Sequence, residues 1–317
     1  MQTITTRHGM IPVAQAPATY PDGSLRACLP AGPCVLNTPV GQLVPQFTAR
    51  ELRKKEVRPI TFHPDGTLQA LPLESQRVIP SAAGSIPAEL LTFHADGSLS
   101  RVFPLNGRLS GYWTQEDEAE LARPVTLLTP AGILTTTLIG AAFHPSGTIR
   151  SLTFWPGQTV SINTPAGMVD TRIGVSFHPD GQIRSVEPAR PAAVETPAGE
   201  ILAHDPDALG INGDSNSLAF HPDGTVSRVI TIRTRLTAIS PDGRLATFAP
   251  TQRESLCGDG EREMIPMSIQ FTPDAVIITQ AENAPPVHIP LEGHVFFTAP
   301  WLSGLAGGLP DLRCTIC

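Results

Sequence analysis

The sequence predicts an all-β fold: an array of consecutive antiparallel β-hairpins, forming an elongated twisted sheet or a β-solenoid, with one short helix. Two observations lead to this prediction. A motif close to Phe-His-Pro-Asp-Gly recurs along the chain, and apolar residues alternate with polar ones before each copy. The copies, each counted from its phenylalanine to the apolar residue after the glycine, are 62–68, 93–99, 143–149, 177–183 and 220–226.

Each residue of the copy His178-Pro179-Asp180-Gly181 suits one position of a tight turn. Proline fixes φ at about −65°, aspartate forms turns readily, and glycine adopts a positive φ without steric cost. This chemistry predicts a three-residue hairpin loop, a type I turn closed by a left-handed glycine. Apolar residues follow the glycine at plus two and plus five. Because this spacing breaks strict alternation, we expect a further bulge in the returning strand.

A second motif, Thr-Pro-x-Gly, is predicted to form the same turn. Its copies begin at Thr38, Thr129, Thr164 and Thr196. Spacings of 35 and 32 residues separate the last three copies, which is typical of repeat arrays. Residues 81–84 and 104–107 are interpreted as degenerate copies. From 129 to 224 the two motifs alternate, so the predicted unit is a pair of hairpins.

The quality of the motif divides the chain into three predicted regions. Residues 1–58 hold weaker N-terminal hairpins and a linker. Residues 59–250 hold the hairpin array, which an insertion at 203–217 interrupts. Residues 251–317 hold a degenerate copy and a C-terminal tail. At 317 residues the chain could hold two ordinary domains, but a repeat array need not follow that expectation.

Two other segments have a recognisable local pattern. Thr114 is a good N-cap and acidic residues follow it, which predicts a helix over 115–122. Lysine and arginine alternate with glutamate over 50–58, and this basic run is predicted to be a solvated link.

Composition and charge exclude several classes of function. The net charge of −7 and a pI near 5.7 argue against a nucleic-acid surface, which needs a clustered basic face. No apolar run is long enough to span a membrane, and the first residues do not form a charged and then apolar leader. An odd count of five cysteines is typical of a reducing compartment, so the predicted localisation is cytoplasmic.

The cysteines also raise one metal hypothesis. Cys314 and Cys317 form a C-x-x-C pair, and they would complete a zinc site with Cys28 and Cys34 if the two chain ends met. The five residues between Cys28 and Cys34 exceed the usual spacing, so free thiols are the favoured alternative. No cofactor is predicted, with a divalent cation as the one candidate.

Five histidines occupy the first position of the turn and invite a second metal hypothesis, since imidazole is a common metal ligand. They are His63, His94, His144, His178 and His221. Threonine, Ser240 and Tyr20 fill the same position elsewhere, so we interpret the histidines as serving the turn or facing solvent. The phenylalanines that precede them are predicted to be buried, with the histidines far more exposed.

The string of aromatic residue, turn, glycine, apolar residue and then serine or arginine resembles the MORN-type β-hairpin repeats. It is closer to the bacterial YwqK-type antitoxin repeats, and the resemblance covers most of 59–250. It implies an extended antiparallel sheet of hairpins that is used for interaction. It brings no catalytic residues to this chain.

The insertion is the strongest functional candidate, because long irregular loops in compact proteins are often functional. Asn212, Asp214 and Asn216 stand at alternate positions, the spacing at which calcium loops offer oxygen ligands. Ser217, however, stands where such a loop has glycine. Three interpretations stay open: a cation site, a loop that contacts a ligand or partner, and a structural connection.

The first functional hypothesis is a non-enzymatic, repeat-based binding or scaffold protein whose partner is a protein or a small ligand. The alternative is a metal-binding protein or enzyme, with a site formed by the insertion and the acidic run 116–120. The alternative requires these two segments to converge in one cleft. The oligomeric state stays open. The candidate binding residues are Asp205, Asp207, Asn212, Asp214, Asn216, Trp113 and Glu116, and no catalytic residue is predicted.

Overall fold

The computed structural model of the chain describes residues 2–49, 52–208, 216–254, 262–281 and 284–301. These residues form an all-β protein of antiparallel hairpins with one short helix, which confirms the predicted fold class. Packing divides the chain into two compact units. Unit 1 holds the described residues within Met1–Glu187, Leu209–Asn216 and Pro222–Gly224. Unit 2 holds those within Pro188–Ala208, Ser217–His221 and Thr225–Cys317.

The strands that begin in unit 1 are β1 (Gln2–Thr6), β2 (Gly9–Val13), β3 (Ala18–Thr19), β4 (Leu25–Cys28), β5 (Leu36–Thr38), β6 (Gly41–Leu43), β7 (Ile60–Phe62), β8 (Leu68–Ser81), β9 (Gly84–Phe93), β10 (Leu99–Phe103), β11 (Pro124–Thr129), β12 (Gly132–Phe143), β13 (Ile149–Phe154), β14 (Val160–Thr164), β15 (Gly167–Phe177) and β16 (Ile183–Pro188). Strands β3, β4, β7, β8, β9, β10, β12, β13 and β15 pair in this order, each antiparallel to the next. This unit also contains the hairpins β1–β2, β5–β6, β11–β12 and β14–β15, and β16 belongs to the same sheet as β15.

The strands of unit 2 are β17 (Ala192–Thr196), β18 (Gly199–Ala203), β19 (Leu218–Phe220), β20 (Val226–Thr231), β21 (Thr234–Ile239), β22 (Leu245–Phe248), β23 (Thr251–Glu254), β24 (Arg262–Ile265), β25 (Met267–Phe271), β26 (Ala275–Thr279), β27 (Val287–Pro290) and β28 (Val295–Pro300). Strands β19, β20, β25, β26 and β27 pair in this order. Strand β21 lies between β22 and β28, and β17–β18 and β23–β24 are separate hairpins.

The Pro-Asp-Gly turns have the predicted geometry. In the first full copy, the amide of His63 donates to the carbonyl of Thr67 over 2.9 Å, and the amide of Gly66 donates to the carbonyl of His63 over 2.8 Å. This pattern encloses a three-residue loop that ends in a left-handed glycine. The predicted positive φ is confirmed at 84° for Gly147, 91° for Gly181 and 84° for Gly224.

The bulge predicted in the returning strand is also confirmed. Thr61 pairs with Ala70 but Phe62 pairs with Leu68, so the register passes over Gln69, the third residue after the turn glycine. The extra residue turns both Leu68 and Leu71 toward the interior, which explains the apolar spacing of plus two and plus five. The residues passed over at the same place in other hairpins are Arg26, Ser100, Arg150 and Ser227.

The prediction that Thr-Pro-x-Gly forms the same turn is wrong. Thr129 pairs directly with Gly132, so the loop has two residues and the glycine begins the returning strand. The Thr129 hydroxyl donates to the carbonyl of Gly132 over 2.8 Å and accepts from the amide of Ala131 over 3.2 Å. These bonds close a loop of two residues instead of the predicted three. The same hydroxyl bond is made by Thr6, Thr38, Ser81, Thr164 and Thr196.

The two degenerate copies differ in outcome. Residues 81–84 form the hairpin between β8 and β9 and confirm the interpretation. Residues 104–107 form no hairpin; they follow β10 as an irregular segment, and Gly107 has an ordinary φ. A Cβ atom added at Gly107 would overlap the Glu118 carboxylate, so this glycine is required by a close side-chain approach and not by a turn.

The turn histidines link successive hairpins. In four of them Nε2 lies within hydrogen-bond distance of the carbonyl of the phenylalanine in the next hairpin of the same kind. A carbonyl can only accept, so this nitrogen carries the proton. The pairs are His63 with Phe93 (3.0 Å), His94 with Phe143 (3.1 Å), His144 with Phe177 (3.3 Å) and His221 with Phe271 (2.9 Å). The Tyr20 hydroxyl donates to the carbonyl of Phe62 in the same way, over 2.8 Å.

The structure extends one interpretation and confirms a prediction. The histidines are half-buried and four of them bond to the main chain of the next hairpin, a contact that the interpretation as serving the turn or facing solvent did not include. They are more exposed than the phenylalanines, as predicted. The predicted burial of the phenylalanines is confirmed, with at most 3% of any of them exposed. They are Phe62, Phe93, Phe143, Phe177 and Phe220.

The helix, α1 (Gln115–Ala119), is shorter than the predicted 115–122. Thr114 caps it as expected, in a capping box with Asp117. Beyond Ala119 the amides of Leu121 and Ala122 bond to carbonyls three residues back instead of four. The last turn therefore tightens and the helix ends before Pro124.

Replacing Gly147 by alanine should lower the free energy of unfolding by about 1 kcal/mol, because an L-residue is strained at positive φ. Within the described part of the chain no other atom lies within 4 Å of the added Cβ, so strain is the expected cost. Gly111 is the matched control, since it has equally open surroundings and no positive φ. Urea unfolding should show Gly111→Ala unchanged or slightly stabilised. Equal losses in both variants would contradict the left-handed assignment.

Tyr20→Phe should lower the free energy of unfolding by about 1 kcal/mol, because it removes one hydrogen bond to Phe62 and little else. Tyr112, the second of the two tyrosines, has 75% of its surface exposed and provides the control. Tyr112→Phe should leave the urea midpoint unchanged. If the two variants behaved alike, the link between hairpins would make no net contribution to stability.

Candidate binding pockets

The densest polar contacts of unit 1 surround the side chain of Arg53. Its Nε and Nη2 each donate to Glu118 over 2.8 Å, and its Nη1 and Nη2 donate to Glu89 over 2.9 and 2.8 Å. Lys54 adds a contact of 3.1 Å to Glu89. Between 5% and 12% of each of these four side chains is exposed. We call Arg53, Lys54, Glu89 and Glu118 the buried ion cluster.

Neighbouring main-chain and indole groups complete the hydrogen bonding of the two carboxylates. The amide of Asn106 donates to Glu89 and the amide of Gly107 donates to Glu118, both over 2.9 Å. The Trp113 indole donates to Glu118 over 2.6 Å. A buried charge requires this degree of compensation, because an unpaired one costs several kcal/mol. The irregular segment 104–107 thus supplies backbone amides to the two carboxylates. In a regular strand these amides would bond to the neighbouring strand.

The contacts set the protonation of the cluster. Burial opposes ionisation of Glu118, but bonds from Arg53, Trp113 and the Gly107 amide outweigh it and hold its pKa below the ordinary value. Burial also opposes ionisation of Glu89, and Arg53 and Lys54 again lower its pKa. The two carboxylates in turn raise the pKa of Arg53 despite its burial. Arg53, Glu89 and Glu118 are therefore charged at neutral pH.

One prediction fails at this cluster. The basic run 50–58 is not simply a solvated link, because only 12% of the Arg53 side chain and 5% of the Lys54 side chain are exposed; Arg50 and Glu51 lie outside the described residues. The acidic run 116–120 is divided in its exposure, since Glu118 is buried while Glu116 is exposed. Sequence spacing did not reveal the pairing because the partners of Arg53 are 36 and 65 residues away.

A pocket of about 250 Å³ opens beside the buried ion cluster. We call it the basic pocket. Arg58 is anchored there by a 2.7 Å bond from Nη1 to the Asn106 side chain, and Arg108 forms an exposed 3.2 Å ion pair with Glu56. The residues that line it are Gln46, Arg53, Lys54, Lys55, Glu56, Arg58, Asn106 and Arg108.

A larger pocket of about 630 Å³ lies in unit 2. We call it the acidic groove. Two of the predicted binding residues, Asp205 and Asp207, line it together with Glu263 and Arg253. The other described residues that line it are Ile230, Met264, Ile265, Pro266, Ser268, Thr279, Ala281 and Ala284. The groove therefore combines charged and apolar side chains, and we refer to the four charged side chains as its rim and to the apolar ones as its floor.

Local bonds position the charged side chains of the groove. The amide of His204 donates to the carbonyl of Ile230 over 2.9 Å, which fixes the base of the insertion against β20. Asp205 then accepts from the amide of Asp207 over 3.0 Å, so the two aspartates form one turn. Across β23 and β24, Arg253 and Glu263 are register partners and form a 2.9 Å ion pair.

The structure places the other predicted residues separately. Asn216 is 1% exposed in unit 1, where its amide donates to the Ser185 hydroxyl over 2.8 Å. Trp113 is half-buried beside Glu118, and Glu116 is exposed. Because Asp205 and Asp207 belong to unit 2, the predicted convergence of the insertion with the helix start stays a prediction. Asn212, Asp214, Cys314 and Cys317 lie outside the described residues.

The metal hypotheses are likewise still predictions. Within the described ranges, no three histidine, cysteine, aspartate or glutamate side chains lie close enough together to hold a metal ion. Cys28 and Cys34 are free thiols, and burial raises the pKa of Cys28 to about 11. A thiol with such a pKa is protonated at neutral pH.

No helix of the described chain is long and apolar enough to cross a membrane.

Glu118→Gln should lower the free energy of unfolding by about 3 kcal/mol at neutral pH, because it removes one partner of a buried ion pair. The pKa of Glu118 lies below its ordinary 4.5, so this stabilisation is complete above pH 4.5 and is lost as the pH falls through the folded-state value. The difference between wild type and variant should therefore shrink in acid. Glu56→Gln, at an exposed ion pair, should change stability by less than about 1 kcal/mol. A pH-independent loss would contradict the charged cluster.

Comparison of the chain with family models, with curated proteins and with solved structures gives no match in any of the three. The resemblance to MORN-type and YwqK-type hairpins therefore stays a prediction, and function has to be inferred from the two pockets themselves.

Proposed function

We propose that the protein is a non-enzymatic, repeat-based binding protein, and that its acidic groove takes a small ligand or peptide side chain that joins an amine to an apolar body. The observation that carries this proposal is the lining of the groove. Among the described residues, three carboxylates and one guanidinium line a pocket of about 630 Å³ together with apolar side chains. Volumes of about 300–1,000 Å³ are typical of ligand sites.

The charge of the groove supports a cationic ligand. Arg253 is paired with Glu263, so the charged rim has an excess of carboxylate over guanidinium. An ammonium group gains charge-assisted hydrogen bonds from carboxylates, and these are about twice as strong as neutral ones. Asp205 and Asp207 lie in one turn that is fixed to β20, so they present their charge from a defined position.

The floor of the groove supports a ligand with an apolar part. Met264, Ile265 and Ile230 contribute side chains that are only half-buried in unit 2. Covering such surface stabilises a complex by about 25 cal/mol per Å². A methionine in the floor also adapts its shape to the ligand at small cost. The combination favours an alkylamine or a lysine-like chain over a compact inorganic cation.

The recurring polar residues support a role that is not catalytic, because their bonds are structural. The turn aspartates accept hydrogen bonds from the backbone amide two residues later, as Asp65 does from Thr67 over 3.0 Å. The turn histidines bond to the next hairpin, as His63 does to Phe93. These polar groups hold the hairpins that present the pockets.

Three probes of equal length test the proposal: hexylammonium, hexanol and hexanoate, measured by ligand-observed NMR. Hexylammonium should bind most tightly, hexanol more weakly, and hexanoate not measurably, because only the first complements the carboxylates. The double variant Asp205→Asn/Asp207→Asn should weaken hexylammonium binding by about tenfold, the equivalent of about 1.4 kcal/mol.

The control is Asp22→Asn, which changes a turn aspartate of unit 1 to an amide that can still accept the Ser24 bond. It should leave hexylammonium binding unchanged. Equal binding of the three probes would show a purely apolar site. Absence of hexylammonium binding, or an equal loss in the control variant, would overturn the assignment of the groove.

A further inference from the structure

The basic pocket of unit 1 has a charge opposite to that of the whole chain. The net charge is −7, yet the described residues that line the pocket include five cationic side chains and one carboxylate, that of Glu56. Such a local reversal of sign in a concave site concentrates anions there. The proposed function does not depend on this pocket, which lies in the other unit and has the opposite sign.

The buried ion cluster divides these cations into two groups. Arg53 and Lys54 are paired with Glu89 and Glu118 and are largely shielded from solvent, so they add little net charge to the pocket. Lys55, Glu56 and Arg108 are exposed and Arg58 is half-buried, and we call these four residues the mouth of the pocket. The positive excess is therefore accessible to a ligand from solvent.

The mouth is positioned by contacts of its own. Asn106, which is 8% exposed, holds the Arg58 guanidinium through a 2.7 Å bond. The amide of Asn106 is itself fixed to Glu89 of the cluster. Lys55 Nζ lies 4.9 Å from the centre of the exposed Tyr112 ring, a cation–π contact that restrains the ammonium at the rim. A charge held in place in this way loses less entropy when it binds a ligand.

We propose that the basic pocket is a second binding site and that it takes a small anion with phosphate groups. A phosphate presents three acceptor oxygens in a tetrahedron and carries up to two charges, so several cations can contact it at once. Guanidinium groups match phosphate with two parallel hydrogen bonds, and an ammonium adds a point charge. The volume of about 250 Å³ suits one or two phosphate groups better than a larger organic ligand.

Isothermal titration calorimetry with inorganic pyrophosphate tests this proposal, with citrate as a carboxylate anion of similar charge. Wild-type protein should bind pyrophosphate saturably at one site per chain and citrate at least about tenfold more weakly. Arg58→Gln should weaken pyrophosphate binding by about tenfold or more. Lys55→Gln and Arg108→Gln should weaken it by smaller factors, since these side chains are exposed and screened.

One variant should act in the opposite direction. Glu56→Gln removes the carboxylate that pairs with Arg108, so pyrophosphate should bind several-fold more tightly. Arg244→Gln is the matched control for Arg108→Gln, because Arg244 also forms an exposed ion pair, with Asp242 in unit 2. It should leave binding unchanged. Both Lys55 and Glu56 are exposed, so their variants are expected to fold. These two variants therefore test pyrophosphate binding even if Arg58→Gln does not fold.

Three results would overturn the proposal. Absence of saturable binding to the wild-type protein would show that the pocket is only part of a structural brace. Citrate binding as tight as pyrophosphate binding would rule out phosphate as the recognised group. An equal loss of affinity in Arg244→Gln would show that the anion responds to overall charge and not to this pocket.

Discussion

The hydrogen bond from the first turn residue of one hairpin to the main chain of the next is the contact on which the array depends. A single hairpin is marginally stable in water, and each needs a neighbour to cover its apolar face. The phenylalanine supplies the buried surface, but apolar packing alone does not define how two hairpins align. The imidazole bond from His94 to the carbonyl of Phe143 does so, because it requires a particular side chain to reach a particular peptide group.

Structural features that depend on residues within one hairpin could be predicted from the sequence. Contacts between residues far apart in the sequence could not. The positive φ of Gly181 and the bulge after the turn follow from residues within one hairpin, so they could be predicted. The imidazole bonds join residues 30 to 50 positions apart, and nothing in a single motif indicates them. One signal was available, namely that Tyr20 replaces histidine with another side chain able to donate from its tip. That substitution therefore indicates a requirement for a donor at this position.

The same limit applies to the candidate sites. Asp205 and Asp207 were predicted to bind a ligand because they open the longest departure from the motif, and they do line the acidic groove. The basic pocket was missed because charge alternation over 50–58 is the normal pattern of a solvated segment. A sequence signal for the buried ion cluster did exist on β9, the strand that carries Glu89. Glu89 follows Ile86 and Ala88 and precedes Leu90 and Leu91, and a carboxylate in such an apolar strand requires a buried cation.

Both pockets lie where the hairpin motif is interrupted. The reason is that the polar groups of a regular hairpin already bond to one another or to the next hairpin. In a regular hairpin the turn aspartate, the histidine or threonine and the strand amides are all committed to the hairpin or to its neighbour. Little remains to contact a ligand. The segments around Arg53 and Gly107, and the turn at Asp205, leave the ladder and direct side chains and amides elsewhere. The regular hairpins therefore provide rigidity, and the interruptions supply charged side chains that line the two pockets. For this reason the two pockets can differ in charge while the hairpins around them have the same construction.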